Sequence, residues 1–184
     1  ITPVTIPTRK GDVVIAADEQ PAKARPEKIP TLKPAFRKDG TVTAANASSI
    51  SDGAAALVMS AQSDAPYRAK IVGHASHAQA PGWFSTAPIP AAQKLLKRIG
   101  WSVDDVDLWE VNEAFAVVPM AFMHELGIPR DKINVNGGAC ALGHPIGATG
   151  SILIGTVLDE LERTDKQVGL VTMCAAGGMA PAII

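Results

Sequence analysis

The chain has 184 residues, 47 % of them apolar and only 4 % aromatic, with a net charge of −1. That length holds one full domain, or one domain and part of another, and small aliphatic side chains must fill its core. The near-neutral balance gives no electrostatic case for binding nucleic acid or an anionic membrane surface, and no run of about 18 apolar residues or signal-peptide pattern is present. The two cysteines, Cys140 and Cys174, show neither CxxC nor zinc-ligand spacing. No metal site is expected, and a reducing, cytoplasmic compartment is. Because the chain begins at Ile1 rather than Met, it reads as a fragment or a processed product.

Residues 1–38 are dense in proline (Pro3, Pro7, Pro21, Pro26, Pro30, Pro34), which excludes helix interiors and central strands. Val13–Ile15 is the one clear strand candidate there; the rest reads as a linker or as an excursion packed on a larger body. Lys38-Asp39-Gly40 signals a turn. Thr41–Thr43 is read as a short strand, Asn46–Ser49 as a small polar loop that lets a ligand approach, and Ala54–Met59 as a buried strand. From Arg68 strands and helices alternate. Ile71-Val72 is predicted as strand, Pro88–Ile99 as a helix stopped by Gly100, and Asp107–Val111 as strand. Glu113–Leu126 follows as a helix closed by Gly127, Ile133–Val135 as strand, Ser151–Arg163 as helix, and Gln167–Met173 and Ala180–Ile184 as strands. The pattern predicts a layered α/β domain with a mixed sheet.

The stretch Asn134–Gly150 reads N-V-N-G-G-A-C-A-L-G-H-P-I-G-A-T-G and holds five glycines. Glycine is chosen where backbone turns with positive φ or where another group approaches the main chain closely. Pro145 keeps His144 out of a regular helix, so an imidazole stands on a glycine-lined loop before a helix, where it can serve as general acid or base. In an α/β sheet the loops leaving the C-terminal strand ends carry ligands. Asn112, His144 and Cys174 each follow a predicted strand, so an amide, an imidazole and a thiol are expected to converge. Their shared chemistry would be carbon–carbon bond formation beside a thioester. Histidine and asparagine donate to an enolate or thioester oxygen, while Cys174 moves a proton at the α-carbon, helped by the amides of Ala175–Gly178.

Three segments, N-E-A-F-A at 112–116, G-H-P-I-G-A-T-G at 143–150 and C-x-x-G-G at 174–178, resemble the signature segments of the thiolases, the acetyl-CoA acetyltransferases. Arg9-Lys10-Gly11, Leu32–Phe36, Gly40–Ala44, Asn46-Ala47-Ser48 and Asp52-Gly53 are similar to that family as well, in the same order. The resemblance covers essentially all of the chain but only the C-terminal half of a typical thiolase. It implies a thiolase-like layered fold, with a mixed five-stranded sheet and helices on both faces. Residues 66–184 would be the complete C-terminal domain, 48–65 the last segment of the N-terminal domain, and 1–47 the end of the loop domain.

By the same resemblance, His144 would activate a nucleophilic cysteine and, with a water held by Asn112, line an oxyanion hole. Cys174 would be the acid/base at the α-carbon, and the Ala176 N–H would serve a second oxyanion hole, in place of the usual Gly. Ser48 would contact the pantetheine arm of coenzyme A, with Phe36, Ala47, Ala114 and Phe115 lining the tunnel. Neither Cys140 nor Cys174 matches the family's acylated cysteine. The implied activity is therefore acyl-CoA C-acetyl transfer, reversible condensation of acetyl-CoA or thiolysis of a 3-ketoacyl-CoA, with that cysteine supplied by an N-terminal half. Coenzyme A and acetyl-CoA would be substrates, with no permanently bound cofactor, and the complete enzyme a homo-oligomer. Ser49 stands where glycine is usual, which would crowd the loop, and the connector between Ser60 and Arg68 is short. The competing reading is a non-catalytic thiolase-like subunit that binds an acyl-CoA or a partner protein. Ketoacyl synthases, which resemble thiolases in fold, use histidine where Cys174 stands.

Overall fold

The computed structural model describes residues 2–62, 64 and 66–184. Ser63 and Ala65, within the short connector and at the expected 65/66 domain boundary, lie outside the described residues, as does Ile1. The chain forms two compact units, residues 1–33 and 34–184.

In the first unit, β1 (Val4–Thr8) pairs antiparallel with β2 (Gly11–Ile15), Val4 opposite Ile15 and Thr8 opposite Gly11. The expected strand at Val13–Ile15 is present. Its partner was hidden by Pro7, which an edge strand tolerates because its absent N–H need not face the ladder. Helix α1 (Gln20–Lys23) and a 3-10 helix (Pro26–Thr31) follow, with every residue from Pro3 to Lys33 exposed.

The second unit is built on a four-stranded mixed sheet in the order β3 (His74–Ala78), β6 (Met179–Ile183), β5 (Gly169–Thr172), β4 (Leu108–Val111). Strands β4 and β5 run parallel; β6 is antiparallel to both β5 and β3. Alternation along the strands divides two cores. Trp109, Val111 and Leu170 face helices α2 (Pro88–Ile99) and α3 (Val117–Leu126), whereas Leu108 and Val171 face Leu153, Val157 and Leu161 of α5 (Thr149–Thr164). Helices thus cover both faces, as expected. The end of α2 follows its sequence signals: Gly100 takes the left-handed conformation (φ 76) and closes the helix.

Several expected elements are absent or shifted. The five-stranded sheet becomes four-stranded because Ile133–Val135 is not a strand: Ile133 makes one parallel bridge to Trp109, and Asn134, at φ 44, turns the chain out of extended geometry. Ala54–Met59 is neither buried nor a strand; it is exposed, with Val58 at 102 % and Met59 at 74 %. Among the described residues no strand pairs with it, and a lone segment has nothing to satisfy its ladder groups. Thr41–Thr43 is a loop closed by Asn46, whose Oδ1 accepts the Thr43 N–H at 2.8 Å and whose Nδ2 donates to the Thr41 carbonyl at 2.9 Å. The strand expected at Ile71-Val72 begins at His74, since the partner β6 sets the register. Helix α3 starts at Val117 rather than Glu113, because Ala47 and Phe115 form a bridge and the Ala116 N–H donates to the Asn46 carbonyl. A short helix, α4 (Ala139–Leu142), lies in the glycine-rich stretch and was not foreseen.

Candidate active site

Asn112 and Cys174 follow β4 and β5, two adjacent parallel strands, so their loops leave the same end of the sheet. The Asn112 N–H donates to the Thr172 carbonyl at 3.0 Å, locking the two strand ends together. Both residues are buried, Asn112 at 1 % exposure. His144 reaches this edge from the turn between α4 and α5. Gly143, at φ 88, lets the chain reverse there, and a Cβ on it would overlap the Ser51 side chain. The His144 N–H donates to the Ser49 carbonyl at 2.9 Å. Ser49, expected to crowd the loop, turns its hydroxyl to Ser51 at 3.2 Å while its carbonyl holds His144.

The imidazole is held on both nitrogens. Nδ1 lies 2.6 Å from the Thr149 hydroxyl, and Nε2 lies 3.3 Å from Asn112 Nδ2. Thr149 donates its one proton to the Pro145 carbonyl at 3.0 Å, so its oxygen accepts from His144 Nδ1–H. The neutral ring therefore carries its proton on Nδ1 and presents the Nε2 lone pair to Asn112. Burial lowers the His144 pKa and favours that neutral form. Asn112 Oδ1 is buried without a hydrogen-bond partner among the described residues. Thr149, buried at 3 % exposure and the first residue of α5, was not singled out by the sequence, which begins that helix at Ser151.

Cys174 belongs to the core on the α2 side, and burial raises its thiol pKa. Among the described residues it makes no side-chain hydrogen bond to His144 or Asn112, although its loop leaves the same end of the sheet. After it, Ala175 and Met179 pair and leave Ala176, Gly177 and Gly178 as a tight turn, Gly177 at φ 88 and Gly178 at φ 84. The exposed Ala176 donates no backbone hydrogen bond among the described residues, which leaves its N–H free to serve an oxyanion. The Gln79 N–H donates to the Gly178 carbonyl at 2.9 Å and anchors the turn.

The five expected substrate-contact residues come together. The Ser48 N–H and hydroxyl both donate to the Ala114 carbonyl, at 3.0 and 3.1 Å. Ala47 pairs with Phe115, and Phe36, 71 % exposed, meets the Phe115 ring edge-on at 5.6 Å between centroids. Phe84 also meets the Phe115 ring, at 6.4 Å between centroids; no spacing rule connects it to that cluster. Cys140, the other thiol, is half-buried, donates to the Glu113 carbonyl at 3.6 Å, and is pushed up to about 11 by burial and then by Glu113. It is a poor nucleophile. Among the described residues no group of three His, Cys, Asp or Glu side chains is placed to hold a metal ion, and no helix is long and apolar enough to cross a membrane.

Comparison with known proteins adds a family to this geometry. Residues 65–184 match the model of the thiolase C-terminal domain and residues 1–63 that of the thiolase N-terminal domain. The chain is 46 % identical to the acetyl-CoA acetyltransferase of Paracoccus denitrificans, over 100 % of this chain and 48 % of that protein. It is also 46 % identical to the acetyl-CoA acetyltransferase of Yarrowia lipolytica, over 100 % of this chain and 47 % of the relative. The fold superposes on the crystal structure of the Bacillus anthracis acetyl-CoA acetyltransferase with a TM-score of 0.88 at 40 % identity, covering 100 % of this chain and 48 % of that one. Human mitochondrial 3-ketoacyl-CoA thiolase gives 0.83 at 37 % identity, covering 98 % and 47 %. The chain spans about half the length of the curated relatives it matches.

Proposed function

We propose, because this chain belongs to the thiolase family, that it supplies the C-terminal catalytic loops of an acyl-CoA C-acetyltransferase. The reaction is reversible Claisen condensation of two acetyl-CoA to acetoacetyl-CoA, or thiolysis of a 3-ketoacyl-CoA. One observation carries this reading: a neutral imidazole whose Nε2 is the acceptor nitrogen, 3.3 Å from Asn112 Nδ2, at the shared end of two parallel strands. In that state Nε2 can take the proton of a cysteine thiol supplied by the N-terminal half. Once protonated, it donates with Asn112 to the thioester oxygen on which negative charge develops. Cys174 exchanges the α-carbon proton; a thiol pushed up by burial forms a more basic thiolate. The Ala176 N–H serves the second oxyanion.

Coenzyme A is a substrate in this scheme, and no permanently bound cofactor is involved. Ser48 supports its part, because its hydroxyl donates to Ala114 and so presents lone pairs to a pantetheine N–H. Phe36, Ala47, Ala114 and Phe115 would line the tunnel. Residues 66–184 would be the C-terminal domain, 48–65 the end of the N-terminal domain and 1–47 the end of the loop domain. The exposed Ala54–Met59 supports an N-terminal half that covers it. Two free thiols suit a reducing compartment, the cytoplasm, where the complete enzyme would act as a homo-oligomer in fatty acid metabolism.

The test joins this chain to a thiolase N-terminal half and measures thiolysis of acetoacetyl-CoA. His144→Ala should lower kcat by roughly two to four decades, the range of a lost general base. Near-normal turnover would overturn the assignment. Cys174→Ser should slow α-proton exchange more than acyl transfer to the enzyme, and equal effects would count against the division of roles.

A further inference from the structure

Glu113 follows Asn112 directly, and the two side chains grip opposite ends of one loop. Asn112 meets His144 at 3.3 Å. Glu113 Oε1 accepts from Asn134 Nδ2 at 3.0 Å, and its Oε2 accepts from the Cys140 backbone N–H at 3.2 Å. Its backbone carbonyl takes the Cys140 thiol. Gly138 lies flat against the carboxylate, where any Cβ would overlap it.

Asn134 carries this hold through to the sheet. Its Oδ1 accepts the Val111 N–H and its Nδ2 donates to the Val111 carbonyl, each at 2.8 Å, so it clamps the last residue of β4 immediately before Asn112. It is 2 % exposed and left-handed, a combination that persists only when its hydrogen bonds are complete. Cys140 lies within α4, whose last two residues, Ala141 and Leu142, lead to Gly143 and His144.

We propose that Glu113 is a positioning residue: its carboxylate fixes the 134–144 segment against the end of β4 and thereby sets the contact between Asn112 and His144. This rests on the thiolase reading for its consequence in turnover, although not for its geometry. A carboxylate is the group required. Both oxygens face donors, so glutamine would turn an NH2 against one of them, and aspartate is one methylene short of both. Misplacing a catalytic group by an ångström costs up to about a hundredfold in rate.

The test uses the complete enzyme, with wild type, Glu113→Gln, Glu113→Asp and His144→Ala compared. The expected result for Glu113→Gln is a kcat about ten- to a hundredfold lower, with KM for coenzyme A within about threefold. A second readout is independent of turnover: nitrogen-15 NMR of the His144 ring. Wild type should give the pattern of a ring protonated on Nδ1 with a hydrogen-bonded Nε2, and Glu113→Gln should move the Nε2 resonance toward that of a free imidazole. An unchanged His144 spectrum overturns the proposal whatever the rate does, and so does a loss confined to KM. If wild type does not turn over, the thiolase reading fails and the ring spectrum alone decides the role of Glu113. If Glu113→Gln does not fold, Glu113→Asp carries both readouts.

Discussion

The Thr149 hydroxyl stands 2.6 Å from His144 Nδ1 and gives its own proton to the Pro145 carbonyl at 3.0 Å, so it meets the imidazole only as an acceptor. One helix-start side chain therefore decides which ring nitrogen is basic. Thr149→Val keeps the shape and removes the acceptor. It should lower kcat of the complete enzyme by about ten- to a hundredfold through loss of the productive tautomer, while Thr149→Ser stays within about threefold. Steady-state thiolysis of the two variants measures this; equal losses in both would mean that the hydroxyl does not matter.

Burial lowers the His144 pKa, so the ring stays neutral at a more acidic pH than a free histidine, whose ordinary value is about 6.5. The acidic limb of kcat/KM should then lie below about 6.5. The sign for stability is the same. Below that value the unfolded chain binds a proton that the folded ring resists, so the native state weakens as pH falls from about 6.5 through the folded value. Urea melts at several pH values, with His144→Gln as comparison, would show this part of the slope disappearing in the variant.

Glu110 lies inside the sheet at 3 % exposure and is raised to about 8 by burial, then by Glu113 and Glu160. Glu160 stays charged, held down to about 2 by Arg163 and Asn136. Between its ordinary range and about 8 the folded state binds the Glu110 proton more tightly, so stability falls as pH rises across that window. Glu110→Gln should remove the effect. The variant is expected to exceed wild type by on the order of 1–3 kcal/mol near pH 8 and to converge with it toward pH 4.5, as read by denaturant midpoints. A variant less stable than wild type at pH 8 would contradict a protonated Glu110.

The turn after Cys174 depends on Gly178, at φ 84 with its backbone against the Gln79 carbonyl. Gly178→Ala adds a Cβ where both the conformation and the space oppose it, at a cost of about 1–3 kcal/mol or more. Because Ala176 lies in that turn, α-proton exchange of acetyl-CoA into deuterated water should fall more than acetylation of the enzyme. Wild-type exchange would show that the turn tolerates the change.

Much of the scaffold was legible in advance. Pro88–Ile99 was read to its observed bounds and 151–163 to within two residues of α5, because apolar spacing, and at the end of α2 the glycine Gly100, act within one turn of chain. Strands β4 and β5 showed through their apolar runs. The elements misread were those whose structure depends on a distant partner. Ala54–Met59 has strand composition but no neighbouring strand among the described residues, and Ile133–Val135 is broken by Asn134, whose left-handed turn is held by Val111 and Glu113.

The sequence by itself determined the residue types and their order, an amide, an imidazole and a thiol, in segments specific enough to identify a family. Only the tertiary structure decided what those groups can do. The proton on Nδ1, the Asn112–His144 contact and the Glu113 hold on Cys140 join residues up to 32 positions apart. Side-chain hydrogen bonds of that kind follow from where folded segments come to rest, whereas local spacing governs only the conformation of the segments themselves.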